Sequence, residues 1–268
     1  QYGSDHHMNY DYQTIAHNII TVTDPNDNIA QPDKKDKEKS RTIANDGGQR
    51  RIGSGWGEAA PLDLNEWLLK KDFYHTGSIE KYYQDENFVV AIANLTPAYT
   101  NIYSGSGTFS DRTRRVEDYW RTFIYDRVND VVLIYDNIRA SDASFTKRSI
   151  LHTMNKPLLS GNKLISKVYA QTNPSQQGGS LEASILFPKN AFINLVGGPG
   201  MEFWVDGHNY NENGKILDKI KNRKKNLPEP GSWRVEVTPK AAQETDQFLT
   251  AYTPKLANEY KTISIDPL

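Results

Sequence analysis

The sequence predicts an all-β protein, a large antiparallel β-sandwich of two or more stacked sheets with little helix. Three observations carry that prediction. The apolar residues fall in roughly ten short segments that alternate or are rich in β-branched residues. Clusters of turn residues stand between them: NDGG at 45–48, GSGWG at 53–57, QQGG at 176–179, VGGPG at 196–200 and PEPG at 228–231. The chain also carries fifteen Tyr, nine Phe and five Trp, residue types that suit pleated, half-buried surfaces. A length of 268 residues is enough for one large β domain with a sizeable core, so residues 1–268 read as one sandwich region.

Taken in chain order, Gln13–Thr23 (QTIAHNIITVT) reads as a strand with His17 inside it. Leu62–Lys71 (LDLNEWLLKK) reads as a short helix, and Asn87–Leu95 as a strand. Tyr119–Asp126 and Val131–Asn137 are separated by Arg127-Val128-Asn129-Asp130 and form a long hairpin. On the first arm Tyr119, Arg121, Phe123 and Tyr125 should share a face. Further strands are expected at Ser144–Met154, Lys163–Gln171, Ser180–Phe187, Glu202–Asp206, Trp233–Thr238 and Gln247–Tyr252. Asp33–Arg41 has mixed charge and reads as a loop. Lys215–Lys225 is strongly basic and reads as a solvated lysine-rich loop, or as an attractive rim for an acidic polymer.

Composition excludes several classes of function. The formal net charge of −1 gives no global basic field for nucleic acid. No apolar run approaches the ~20 residues of a helical membrane span. With no cysteine there is no disulfide, no thiolate metal site and no cysteine nucleophile. No GxSxG element occurs, and the carboxylates are too scattered to nominate a pair for glycoside hydrolysis.

The polar residues that invite chemistry are at the start. His6, His7 and His17 lie within twelve residues of one another. Neutral imidazole is the commonest metal ligand, yet a lone strand histidine is more often structural. On the strand reading His17 shares a face with Ile15 and Ile19, where an imidazole needs a hydrogen-bond partner or a metal. The segment Asn45–Arg51 is Gly-rich and basic, but it lacks phosphate-loop spacing and reads as a turn. Arg50, Arg51, Arg114 and Arg115 are candidates for pairing with a carboxylate, for which the arginine fork is better shaped than lysine. Trp56, Trp120 and Trp204 offer faces that can stack on sugars.

The order H-x-x-N-Y-x-x-x-T-x-A-H-N, here His6 or His7, Asn9, Tyr10, Thr14, Ala16, His17 and Asn18, resembles the C-terminal part of heparinase II/III-like polysaccharide lyases. Val22–Pro25, Asn45–Gln49, Arg121–Phe123, Lys147–Thr153 and Gly231–Val235 follow in matching order. The resemblance runs over nearly the whole chain, and Thr14-Ile15-Ala16-His17-Asn18 is its most specific part. It implies a β-sandwich that forms one wall of a substrate cleft, with a helical toroid as the other wall. It implies β-elimination at a uronic acid, which needs a placed base, an acid and stabilisation of an enolate-like charge. It further implies a zinc ion with His17 as one ligand, and an acidic polysaccharide held near Asn18, Gln49, Arg50 and Arg115. The remaining metal ligands, the catalytic residues and the toroid are expected upstream of Gln1, and this chain alone is expected to be inactive. A periplasmic or extracellular location goes with the resemblance. The other class of function the sequence allows is a non-catalytic sandwich that binds carbohydrate or packs on a partner.

Overall fold

The computed structural model describes residues 6, 10–25, 29–31, 41–43, 47–50, 52, 60–99, 114–168, 178–205, 207–210 and 231–256. Its strands are β1 (Ile20–Thr23), β2 (Ile29–Gln31), β3 (Arg41–Ile43), β4 (Ser78–Gln84), β5 (Phe88–Asn94), β6 (Val116–Asp126), β7 (Val131–Ala140) and β8 (Thr146–Thr153). They continue with β9 (Leu158–Ser160), β10 (Lys163–Val168), β11 (Gly179–Phe187), β12 (Phe192–Gly197), β13 (Trp204–Val205), β14 (His208–Asn209), β15 (Trp233–Thr238) and β16 (Thr245–Leu256). Among the described residues the α-helices are short: α1 (Leu64–Leu69), α2 (Lys71–Tyr74) and α3 (Thr96–Tyr99).

Two antiparallel sheets make the sandwich. One has eight strands in the order β4-β5-β6-β7-β16-β11-β10-β9, and the other has four in the order β1-β8-β15-β12. The predicted hairpin is β6–β7, with Ile124 opposite Leu133 and Tyr125 opposite Val132. Tyr119 and Arg121 both reach Asp136 across it, so they share a strand face as alternation requires.

The core between the sheets has two parts. Ile20 and Val22 of β1 pack on Tyr99, Tyr119, Ile138 and Phe248. Val235 and Val237 of β15 pack on Leu164, Ala183 and Ile185 of the larger sheet. A third cluster lies on the outer face of the smaller sheet, where Ile150 meets Tyr10, Ile15, Phe203 and Val205. The smaller sheet is too narrow to cover the larger one. Its partners lie on β6, β7, β16, β11 and β10, whereas β4 and β5 contain no buried residue.

The helix expected at 62–71 is α1 and the start of α2. Its first turn is capped by Asp63, whose carboxylate accepts from Glu66 N–H at 2.8 Å, while Glu66 accepts from Leu62 N–H at 2.7 Å. The strand expected over Gln13–Thr23 is a correction. Thr14–Ala16 form one 3-10 turn and only Ile20–Thr23 is strand. The reason is tertiary. The Thr14 hydroxyl accepts from Gln49 N–H, and the Thr14 carbonyl accepts from His17 N–H, so the chain is turned before it can join the ladder.

Gly47 and Gly48 lie against the edge of β1. Val22 N–H donates to Gly47 O at 3.0 Å. Gly48, at φ +96°, lies where a Cβ would stand 2.9 Å from both Arg115 Cγ and Val22 O, so the close approach and the left-handed backbone both demand glycine. Strands β4, β9 and β12 and helix α3 were not expected from the sequence. Of the two charge-rich segments, Lys215–Lys225 and all of Asp33–Arg41 except Arg41 lie outside the described residues.

Candidate functional site: the Thr14–Asn18 corner

His17 closes the 3-10 turn and its side chain is exposed, not enclosed by Ile15 and Ile19. Ile15 is buried in the outer cluster. Next to it Asn18 is held at both ends. Its Oδ1 accepts from His152 N–H at 2.8 Å and lies 3.0 Å from His152 Nδ1. Its backbone carbonyl accepts from Arg121 Nη1 at 3.2 Å. Because Oδ1 can only accept, Nδ1 carries the proton and Nε2 is left as an acceptor. Tyr10 OH stands 3.2 Å from that Nε2 and donates to it. Arg234 Nη1 in turn donates to the Tyr10 oxygen at 3.2 Å. The bonds therefore run in one direction, from Arg234 to Tyr10 to His152 to Asn18.

This chain depends on a neutral His152. Burial first, then the charges of Arg234 and His17, hold its pKa down to about 4. Tyr10 is pushed up by burial, which outweighs the Arg234 cation beside it, so it stays a neutral phenol at 3 % exposure. Arg234 is itself balanced by Glu236 at 2.7 Å and donates to the Trp204 carbonyl.

On the other side of Asn18 lies a cleft of about 360 Å³ between the sheets. Asn18, Arg121 and Asp136 form its polar end, and Leu151, Leu181 and Tyr252 are among its apolar walls. Arg121 makes a two-point pair with Asp136, Nε to Oδ1 at 2.6 Å and Nη2 to Oδ2 at 2.9 Å. Tyr119 OH donates to the same Oδ1 at 2.9 Å. The Arg121 guanidinium is thus engaged with Asp136 and Asn18. Among the described residues Asn18 Nδ2 has no partner. The corner therefore offers one amide donor and one exposed imidazole, on a backbone fixed from two sides.

Of the other expected site residues, Gln49 meets the corner through its backbone, and Arg50 and Arg115 are engaged elsewhere. Gln49 donates its N–H to the Thr14 hydroxyl. Arg50 donates Nη2 to Phe73 O at 2.8 Å and lies 5.2 Å above the Phe73 ring, on the helical arm. Arg115 is 1 % exposed, under Gly48, with Nη1 3.6 Å from Asp24 Oδ2. Burial lowers its pKa to about 10, with Asp24 opposing. In this arrangement Arg115 packs beneath Gly48 and does not reach solvent. Arg114 pairs with Glu117, and Arg51 lies outside the described residues.

His6 is packed against Phe203, ring centroids 4.2 Å apart, with Nε2 3.0 Å from Asp11. His7 lies outside the described residues, as does Trp56. Trp120 donates Nε1–H to Asp118, and the Trp204 carbonyl serves Arg234. Among the described residues no three His, Asp or Glu side chains converge to hold a metal ion. His152, the nearest imidazole whose position is known, has both ring nitrogens in use. These residues alone do not fit a zinc site.

Sequence reasoning missed Tyr10, His152, Arg234 and Asp136 as a connected set. Tyr10 and His152 are 142 residues apart, and no spacing signal spans that distance.

No family model matches the chain, and no curated protein matches it. Among solved structures, a mutant heparan sulfate lyase from Pedobacter heparinus is similar at 14 % identity and a TM-score of 0.39, over 74 % of this chain and 26 % of that one. A heparinase III with methylated lysines is similar at 11 % identity and a TM-score of 0.41, over 71 % of this chain and 24 % of that one. The chain spans about a quarter of the length of each.

Proposed function

We propose that this chain is the β-sandwich part of a polysaccharide lyase that cleaves uronic-acid-containing polysaccharide by β-elimination. In this reading the sandwich forms one wall of the substrate cleft. The single observation that carries it is the Thr14–Asn18 corner. Its residues match the most specific part of the family resemblance, and the fold spends four side chains on fixing it. A uronate carboxylate at the corner would meet the Asn18 amide donor and the His17 imidazole. Withdrawal of charge from that carboxylate is what makes the adjacent C–H acidic enough for a base to remove. The base and acid come from outside the described residues. A zinc ion at His17 belongs to the same reading only with ligands from outside the described residues. Placement outside the cytoplasm goes with a polymeric substrate.

The test is made on the full-length parent protein. It is assayed against a panel of uronic polysaccharides by the ultraviolet absorbance of the unsaturated product, with zinc measured in the same samples. The wild type should release unsaturated product from at least one polymer. His17→Ala and Asn18→Ala should each lower kcat/KM at least about tenfold, the size expected for one transition-state contact. Wild-type activity in both variants would remove the corner from the mechanism. An absence of unsaturated product from every polymer would leave a non-catalytic sandwich as the reading.

A further inference from the structure

A second cleft, of about 640 Å³, lies at the other edge of the sandwich, between the β9–β10 turn, the end of β11 and the start of β12. Its size is that of small-molecule sites in general. Three lysines line it, Lys163, Lys189 and Lys240, and among the described residues no Asp or Glu does. Two buried or half-buried lysines of the sandwich are matched to acids, Lys147 to Asp246 and Lys255 to Glu182. The three in the cleft have no carboxylate partner among the described residues. Like charges gathered round one concavity repel one another, and an anion relieves that repulsion.

Two of these ammonium groups also stand over aromatic rings. Lys240 Nζ is 5.4 Å from the Phe192 ring centroid, and Lys189 Nζ is 5.7 Å from that of Phe187. Phe192 is 59 % exposed. Neither ring lines the cleft, and Phe192 faces the neighbouring hollow beside Phe145 and Thr238, so the cleft itself offers a ligand its three cations and its amide groups. A sugar chain bearing carboxylate or sulfate groups at several positions can meet more than one of these cations at once, whereas inorganic sulfate is a single centre of charge. Asn162 and Asn190 add amide groups at the wall.

We propose that this cleft is a second, non-catalytic site for an acidic oligosaccharide. The proposal rests on the polysaccharide reading above for its ligand class, but not on the chemistry of the Asn18 corner. β12 and β1 are opposite edges of the four-stranded sheet, three strand spacings or about 14 Å apart. The cleft would hold a distant stretch of the same polymer while the first cleft holds the bond to be cut. Holding both stretches raises the effective concentration of the chain at the first site.

Calorimetry with the purified chain tests this, using a sulfated uronate tetrasaccharide, a neutral tetrasaccharide and inorganic sulfate as probes. The acidic tetrasaccharide should bind, and more weakly as salt is raised. The Lys163→Ala, Lys189→Ala and Lys240→Ala triple variant should lose affinity at least about tenfold, and Phe192→Ala, whose ring faces the neighbouring hollow, should leave it within about twofold. All these side chains are at the surface, and an unchanged circular dichroism spectrum shows that each variant folds. Unchanged affinity in the triple variant overturns the proposal. So does a lack of binding by the wild type, or equal affinity for the neutral sugar or for sulfate. In the full-length parent the triple variant should raise KM for long polymer and leave a short substrate untouched. Binding without any lyase activity in the parent would sink the lyase reading and leave this site standing.

Discussion

The two halves of the eight-stranded sheet share one hydrogen-bond ladder and differ in what lies over it. On β7 and β16 alternate residues are sealed by the smaller sheet: Ile138, Phe248 and Thr250 are all buried, and Asp136 is enclosed with its partners. On β4 the pairing to β5 continues over Ser78–Gln84, yet Ile79, Tyr82 and Tyr83 are exposed. Ladder bonds exchange water for protein partners at small net gain, so they do not separate the halves energetically. Burial of rings and of charge does. The comparison breaks if substitutions in the two halves cost the same. The largest contrast is expected at Asp136→Ala, which strands Arg121 and Tyr119 in the covered half. Loss of one partner from a buried ion pair costs about 3–5 kcal/mol, and the second orphaned donor places this site at the top of that range. Urea unfolding should show it as a lower midpoint with the slope unchanged.

Rings sharpen the same contrast. Phe248→Ala removes a sealed side chain from the core with Ile20, Val22 and Tyr119, and should cost about 3–5 kcal/mol. Phe123→Ala removes the same side chain from the same sheet where the ring is already over a third exposed, and should cost about 1 kcal/mol or less. Equal losses would mean that something covers β5 and β6 in solution.

The corner at the boundary between the halves adds a pH dependence. The fold lowers His152 to about 4, against an ordinary value of about 6.5 in the unfolded chain. Between those values the unfolded chain binds a proton that the folded chain refuses. The stabilisation is therefore complete above pH 6.5 and is lost as pH falls from there towards 4, by about 3 kcal/mol in all. Carboxylates with lowered pKa values, such as Asp85 and Asp126, lose their contribution mostly below that window. His152→Gln should flatten the unfolding curve between pH 4 and 6.5. An unchanged pH slope in that variant would show that His152 is not the titrating group. Asn18→Ala should cost about 1–2 kcal/mol, because it removes the acceptor of the His152 N–H and Nδ1–H.

What the sequence made legible follows the same division. The covered strands announce themselves through apolar alternation, so β7, β8, β11, β15 and β16 were expected in place. β4, with its run Ser78–Gln84 of charged and tyrosine residues, gives no such signal because neither of its faces is buried. Its strand character comes from β5, to which it is paired. The turn at Thr14–Ala16 was hidden for the opposite reason. The stretch Ile15–Val22 alternates well enough for a strand, but Gln49 and His17 claim both oxygens of Thr14. Of the site, His17 and Asn18 were legible as a motif. Their supports, His152, Arg234 and Arg121, come from strands far along the chain and could be joined to them only by the fold.

The smallest effect is expected at β4, and it also separates the two functional readings. Tyr82 donates to Gln84 at 2.7 Å and Tyr83 to Asp85 at 2.6 Å, both at the surface. Exposed bonds of this kind compete with water, so Tyr82→Ala and Tyr83→Ala should each change stability by less than about 0.5 kcal/mol. Tyr82 is nonetheless 60 % exposed, on the same sheet face as Phe123, through the register Tyr82 to Ala91 to Phe123. Two exposed aromatic rings on one sheet face are what a sugar-binding platform requires. Under the lyase reading, with anionic sugar held at the Asn18 corner and the lysine cleft, Tyr82→Ala should leave oligosaccharide affinity within about twofold of wild type. A tenfold loss with stability unchanged would move carbohydrate recognition to the open half, and with it favour the non-catalytic sandwich. Calorimetry on the folded variant reads both quantities from one preparation.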